Sequence, residues 1–173
     1  VQREYNSIYI LDITHYAELE EMYDQKQISV GQIFLDNYDE ITQSMTDQEI
    51  SNLSNYVTNE LAAWSQKYGM YLKRIDDDHF FLLAYAQSLD KVEDDKFNIL
   101  DTVRESTSKQ NFPLTLSIGI AYGDDNLNNL ADQAQSNLDL ALGRGGDQVV
   151  VKAKNDNARF YGGKTNPMEK RTR

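Results

Sequence analysis

"LTLSIGIAYGDDNLNNLADQAQSNLDLALGRGGDQVVV", residues 114–151, decides the fold. Pro113 opens a β-branched and apolar run, residues 114–123, that reads as a strand. "NLNNLADQAQSNLDLALG" (126–143) reads as a helix, and "QVVVKAK" (148–154) as the closing strand. Gly143 is expected to supply a left-handed helix stop, with Gly145 and Gly146 completing the turn. No lysine followed by serine or threonine comes after these glycines, so they are not a phosphate loop. A strand that returns through a helix to another strand belongs to a sheet with helices packed on it.

The residues upstream extend the same sheet. "MYLKRI" (70–75) and "HFFLLAYA" (79–86) are strand-like and separated only by Asp76, Asp77 and Asp78, which predicts a tight hairpin with carboxylates at its tip. "ISVGQIFLDNYDEI" gives a strand over residues 28–35 that ends at Asp36. Between them Ile50, Leu53, Val57, Leu61 and Trp64 recur at steps of three and four, the mark of a helix with one buried face. Thr46 and Glu49 form its capping box and Gly69 ends it. A second helix is expected over residues 89–108, with Val92, Phe97, Leu100 and Val103 inward. A short strand at residues 8–11 and a helix at 15–26 precede the sheet, with His15 as a surface residue. The basic, glycine-bearing end "RFYGGKTNPMEKRTR" reads as a linker. The expected class is α/β (α+β): a palm with a mainly antiparallel central sheet flanked by helices.

Composition narrows the chemistry. A chain of 173 residues without cysteine has no disulfide, thiolate zinc site or cysteine nucleophile, which fits a cytosolic setting. Two histidines, His15 and His79, exclude a multi-histidine cage but leave room for an oxygen-ligated hard cation. A net charge of −11 argues against nucleic acid as partner. No apolar run is long enough to span a bilayer and no signal peptide opens the chain. Val1 and Arg173 read as cuts within a longer protein.

The pattern resembles the GGDEF domain, in which a Ser-Ile-Gly strand is followed by a helix and a glycine-rich turn into the last strand. In that family the signature hairpin lies earlier, preceded by arginine and followed by phenylalanine; here that place holds "RIDDDHF" (74–80). Gly145-Gly146-Asp147 is then a look-alike. Asp76 and Asp77 stand where the family has two glycines, Asp78 at an acidic metal-ligand position, and His79 in place of the glutamate. Phe34 occupies the first place of the family's aspartate–any–aspartate pair, Asp36 the second, and Thr42 the place of a guanine-contacting asparagine. The glycines let the backbone approach phosphates closely. Aspartates there set like charge against like, at about 1 kcal/mol in water and up to about 4 where screening is partial.

"FLDNYDEI", "RIDDDHFFLL", "LGRGGDQVVVK" and "FYGGKTNPMEKRTR" together resemble the GdpP (YybT) family of membrane-anchored bacterial proteins. The resemblance implies transmembrane helices, a PAS sensor, a degenerate GGDEF domain and a C-terminal DHH/DHHA1 phosphodiesterase that cleaves cyclic di-AMP to pApA. It divides the chain into residues 1–26 as the end of the PAS domain and signalling helix, 27–154 as the degenerate GGDEF domain, and 155–173 as a linker towards DHH/DHHA1. It further implies a homodimer at the cytoplasmic face of the membrane, manganese in the DHH domain, and a weak ATPase in this one. As a fragment the chain is expected to be soluble, to make no cyclic di-GMP and not to hydrolyse cyclic di-AMP itself.

Three roles are open: a regulatory module, a slow metal-dependent ATPase, or a structural and dimerisation spacer whose acidic turn is only solvated. For the enzyme, Asp36 and Asp78 are the candidate magnesium ligands, Asp76 and Asp77 auxiliary carboxylates, and Arg74 and Asp77 the nucleotide contacts. Arg74 and His79 are candidates for phosphate binding or proton transfer, an imidazole titrating near neutrality.

Overall fold

The computed structural model describes residues 28–163. The expected strand at 8–11, the helix at 15–26 and the end of the tail lie outside the described residues. Among the described residues the order is β1 (Ile28–Asp36), α1 (Tyr38–Thr42), α2 (Asp47–Lys67), β2 (Tyr71–Asp76), β3 (His79–Tyr85), α3 (Ala86–Asp94), α4 (Ile99–Lys109), β4 (Thr115–Tyr122), α5 (Leu127–Gly143), β5 (Gln148–Ala153) and β6 (Arg159–Gly162). The strands form one sheet in the order β2-β3-β1-β4-β5-β6. All neighbouring pairs are antiparallel except β4–β5. This is the mostly antiparallel α+β sheet that the strand pattern implies.

Alternation along the strands gives the sheet two different faces. Ile33, Leu35, Phe80, Leu82, Leu116 and Ile118 pack with Leu53, Val57 and Leu61 of α2 and Leu100 and Val103 of α4. On the other face Ile28, Val30 and Ala121 meet Leu130 and Ala134 of α5. The capping box forms as the sequence implies: the Glu49 amide donates to the Thr46 hydroxyl (3.2 Å) and the Thr46 amide to the Glu49 carboxylate (2.9 Å). Gly69, at φ 68°, ends α2 as expected.

Four features depart from the sequence reading. Residues 89–108 are not one helix, because α3 stops at Asp94 and Lys96 and Phe97 both take left-handed φ, 60° and 53°. The Lys96 amide donates to the Glu93 carbonyl (2.9 Å) and the Phe97 amide to the Val92 carbonyl (3.0 Å), a helix stop with neither glycine nor proline to announce it. Burial of Phe97 offsets the backbone cost; the side chain is 1% exposed and its ring lies 5.2 Å from that of Tyr161. Gly143 is the last helical residue and not the left-handed stop. The reversal falls on Gly145 and Gly146, with their amides on the carbonyls of Leu142 (3.1 Å) and Ala141 (3.0 Å). The five-residue helix α1 follows β1, where the sequence pattern gives no helix. Lastly, β5 is not the closing strand: the stretch read as linker contains β6. Arg159 and Tyr161 of β6 both donate to Glu93 of α3, at 2.8 and 3.0 Å, and fasten that strand.

Candidate functional site

Strand β1 leaves the sheet beside the aspartate hairpin, where the Leu35 amide donates to the Asp78 carbonyl at 2.9 Å. The β2–β3 pairing shifts between Arg74 and Asp76, from Arg74–Phe80 to Asp76–His79, so a bulge at Ile75 re-aims the tip. Asp76 and Asp77 are exposed and Asp78 and His79 half-buried. Asn37, at φ 52°, turns the chain into α1 and places Tyr38 under the hairpin. Tyr38 is 7% exposed. Burial pushes its hydroxyl above the usual value and the Asp77 and Asp78 carboxylates add to the rise, while the Arg74 guanidinium opposes it. Tyr38 is therefore the site neighbour that sequence reasoning missed. The aromatic two residues after Asp36 was the available signal.

Arg74 sits where the motif put it, yet all three of its nitrogens are engaged within the hairpin and α2. Nε donates to the Asp76 carbonyl (3.1 Å), one terminal nitrogen to the Asp77 carbonyl (2.8 Å), and the other to the Thr58 hydroxyl (3.2 Å). The guanidinium also lies 5.6 Å from the Phe80 ring centre. It holds the turn closed from inside with three of its five N–H donors, leaving its charge beside the aspartates. His79 faces Gln32 across β1, with Nε2 and Oε1 2.6 Å apart, an Nε2–H donor opposite the amide oxygen. Thr42 donates to the Tyr38 carbonyl (2.8 Å) within α1.

Asp36 belongs to a different cluster. Its carboxylate is 8% exposed and accepts from Thr115 Oγ1 (2.7 Å), Ser117 Oγ (2.9 Å) and the Asp147 amide (2.9 Å). A methyl group on Gly146 would lie 2.9 Å from Asp36 Oδ2, so only glycine lets the turn close over the carboxylate. Asp147 in turn ion-pairs with Arg104 (2.8 Å), which also pairs with Asp101. The Gly-Gly-Asp turn is thus the lid of a buried polar network. Among the described residues no group of three or more His, Asp or Glu side chains is placed to hold a metal ion. Asp36, the three hairpin aspartates and His79 do not converge as one ligand set, because both Asp36 oxygens are committed to sheet and turn donors.

Burial raises the Asp36 pKa above 3.8 and the Asp147 charge adds to the rise, against the pull of the bonds from Thr115, Asp147 and Ser117. A carboxyl raised on folding stabilises fully below its unfolded pKa, and that contribution is lost as pH rises through the folded value. Asp36→Asn removes this titration. The difference in urea midpoint between wild type and variant is expected to vary with pH from 3.8 upward, through the range in which the folded carboxyl titrates, and to level off above it.

Residues 33–159 match the family described as "Cyclic-di-AMP phosphodiesterase GdpP-like, GGDEF domain". The whole chain is 53% identical to 26% of the "Cyclic-di-AMP phosphodiesterase PdeA" of Listeria monocytogenes, and 47% identical to 26% of the "Cyclic-di-AMP phosphodiesterase GdpP" of Bacillus subtilis. It therefore spans about a quarter of these relatives. Among solved structures, the GGDEF domain of DgcB from Caulobacter crescentus, in complex with c-di-GMP, aligns over 79% of this chain and 84% of its own, with TM-score 0.65 and 15% identity. The FimX GGDEF domain from Pseudomonas aeruginosa aligns over 80% and 92%, with TM-score 0.61 and 20% identity. These two likenesses establish the fold alone.

Proposed function

Because the chain belongs to the family of GGDEF domains of GdpP-like cyclic-di-AMP phosphodiesterases, we propose that it is the regulatory module of such an enzyme, degenerate in its signature hairpin and without diguanylate cyclase activity. On this reading the parent is membrane-anchored and dimeric, receives a PAS signal, and hydrolyses cyclic di-AMP to pApA in a manganese-dependent DHH/DHHA1 domain. The observation that supports it best is the hairpin itself. Two aspartates replace the residues that let backbone meet phosphate, and Arg74 is turned onto the Asp76 and Asp77 carbonyls of the hairpin itself. The Phe34 side chain has no ligating atom, and Asp36 is bonded into the sheet.

A weak metal-dependent ATPase at the same hairpin is the second reading, favoured by the Tyr38 hydroxyl beside Asp77, Asp78 and Arg74. Magnesium commonly takes one or two carboxylates and completes its shell with water and phosphate oxygens. Asp77 and Asp78 fit that limited role, and a closed protein cage they do not.

One set of assays separates the readings. The 173-residue chain is titrated by calorimetry with ATP, GTP and cyclic di-AMP, with and without magnesium or manganese, and its products are followed by chromatography. No cyclic di-GMP and no pApA are expected. Cyclic di-GMP above a no-enzyme blank would overturn the degenerate reading. If the ATPase reading holds, replacing Asp76, Asp77 and Asp78 by asparagine abolishes metal-dependent ATP binding while circular dichroism is unchanged. If the turn is only solvated, the triple variant matches wild type, with stability within about 0.5 kcal/mol.

A further inference from the structure

The sheet face that packs against α2 is short of side-chain volume at one place. By alternation Ser29, Gly31, Ile33 and Leu35 of β1 share that face, and the first two are small. Ser29 pairs with Ala84, a third small residue, while Gly31 pairs with Leu82 on β3 and Ile120 on β4. Between these residues and Trp64 lies a cavity of about 10 Å³, walled elsewhere by Leu89 and Val92 of α3. Two buried polar atoms belong to residues of that wall. Trp64 is 7% and Ser29 2% exposed, and neither Trp64 Nε1 nor Ser29 Oγ has a hydrogen-bond partner. Among the described residues these are the two buried side-chain polar atoms left in that condition, and both residues line the same cavity. Buried polar groups without a partner are rare enough that two around one space call for a common cause.

We propose that this cavity is a hydration site for one water, which accepts from Trp64 Nε1–H and bonds to Ser29 Oγ. Size sets the first limit, because a single water needs roughly 10–15 Å³ and anything larger has no room. Chemistry sets the second. An indole N–H donates and does not accept, whereas a hydroxyl does both, so the occupant must accept from one and can exchange either role with the other. A cation would meet the indole donor with the wrong sign, and an anion would carry its charge into a wall of carbon from Leu82, Ala84, Leu89, Val92 and Ile120. Water is neutral and has both functions. Serine turns about one torsion among three staggered positions, so Oγ can meet the water without movement of the strand. The water would tie the last turn of α2, where Trp64 sits, to the start of β1, the strand by which the chain enters the sheet.

Crystals of the 173-residue chain, at a resolution that shows ordered water, give the direct test. One water is expected within about 3.2 Å of both Trp64 Nε1 and Ser29 Oγ. A dry cavity would overturn the proposal, and so would Ser29 Oγ bonded straight to Trp64 Nε1. Ser29→Ala tests the same point in solution through the sign of its effect. If the water is there, the variant takes away one of its two partners and the urea midpoint falls. If the cavity is dry, the variant removes an unpaired buried hydroxyl and the midpoint rises, which would also overturn the proposal. The wild-type map stands whether or not Ser29→Ala folds.

Discussion

Gly119→Ala is expected to abolish cooperative folding, or to cost about 4 kcal/mol or more, the range reserved for a core that cannot accept an atom. Gly119 lies in the middle of β4, opposite Gln32 on one side and Val150 on the other, directly under α5. A methyl group there would sit 2.1 Å from the Leu138 amide nitrogen, 2.3 Å from the Ala134 carbonyl oxygen and 2.7 Å from the Leu138 Cα. All three are backbone atoms, so no rotamer change relieves the clash. The helix must lift off the sheet and expose Leu130, Ala134 and Leu138, all at most 2% exposed. Net stabilities of domains run to about 5–15 kcal/mol, so a loss of this size takes a large part of the margin. Gly143→Ala is the matched control: nothing lies within 4 Å of the added carbon, and in a helix alanine is favoured over glycine by up to about 1 kcal/mol. Urea unfolding of both variants checks the pair; a Gly119→Ala midpoint close to wild type would show that α5 does not lie on the strand.

Arg104→Met is expected to destabilise by about 3–5 kcal/mol, the range for removing one partner of a buried ion pair. The Asp147 side chain is 2% exposed and meets two distances to one Arg104 nitrogen, 3.1 and 2.8 Å. Its main chain also donates to Asp36, so movement of Asp147 to find solvent disrupts the Asp36–Thr115–Ser117 bonds as well. Arg104→Met combined with Asp147→Asn should be more stable than Arg104→Met alone, since the buried charge that Arg104 balances is then gone. Asparagine suits the left-handed backbone at that residue, φ 55°. Equal losses in the single and double variants, measured by urea denaturation, would mean that the ion pair contributes packing and not charge compensation.

These network residues show why part of the molecule was legible in sequence and part was not. α2 announced itself through five apolar positions and a capping box because its core contacts and its end are both local patterns. The β2–β3 hairpin was equally plain, with two strand-like runs and three turn residues between them. The break at Asp95–Asn98 was hidden, because its left-handed residues are a lysine and a phenylalanine held by tertiary burial. β6 was hidden too: four residues with two glycines close by read as linker, and only Glu93, sixty-six positions before Arg159, makes them a strand. At the site, the motif located Arg74 and the aspartates but not what they touch. Asp36 stood two residues from the expected metal position, yet its partners Ser117 and Asp147 are 81 and 111 positions away, a distance that periodicity does not bridge.

The strand directions carry a mechanical consequence. β4 runs opposite to β1, β5 runs with β4, and β6 reverses again, so β6 points the same way as β1. The chain enters at Ile28 and leaves after Gly162, which is level with Gln148, Ser117 and Phe34 through the registers of β5, β4 and β1. Its two attachment points therefore lie towards opposite ends of the sheet, separated by about 20 Å for six residues of strand. Tension between the flanks pulls along the strands and loads the β1–β4, β4–β5 and β5–β6 ladders in shear, many hydrogen bonds at once. A twist or displacement delivered at Ile28 thus travels through the sheet as through a stiff plate, and emerges at the far edge without the sheet having to unzip.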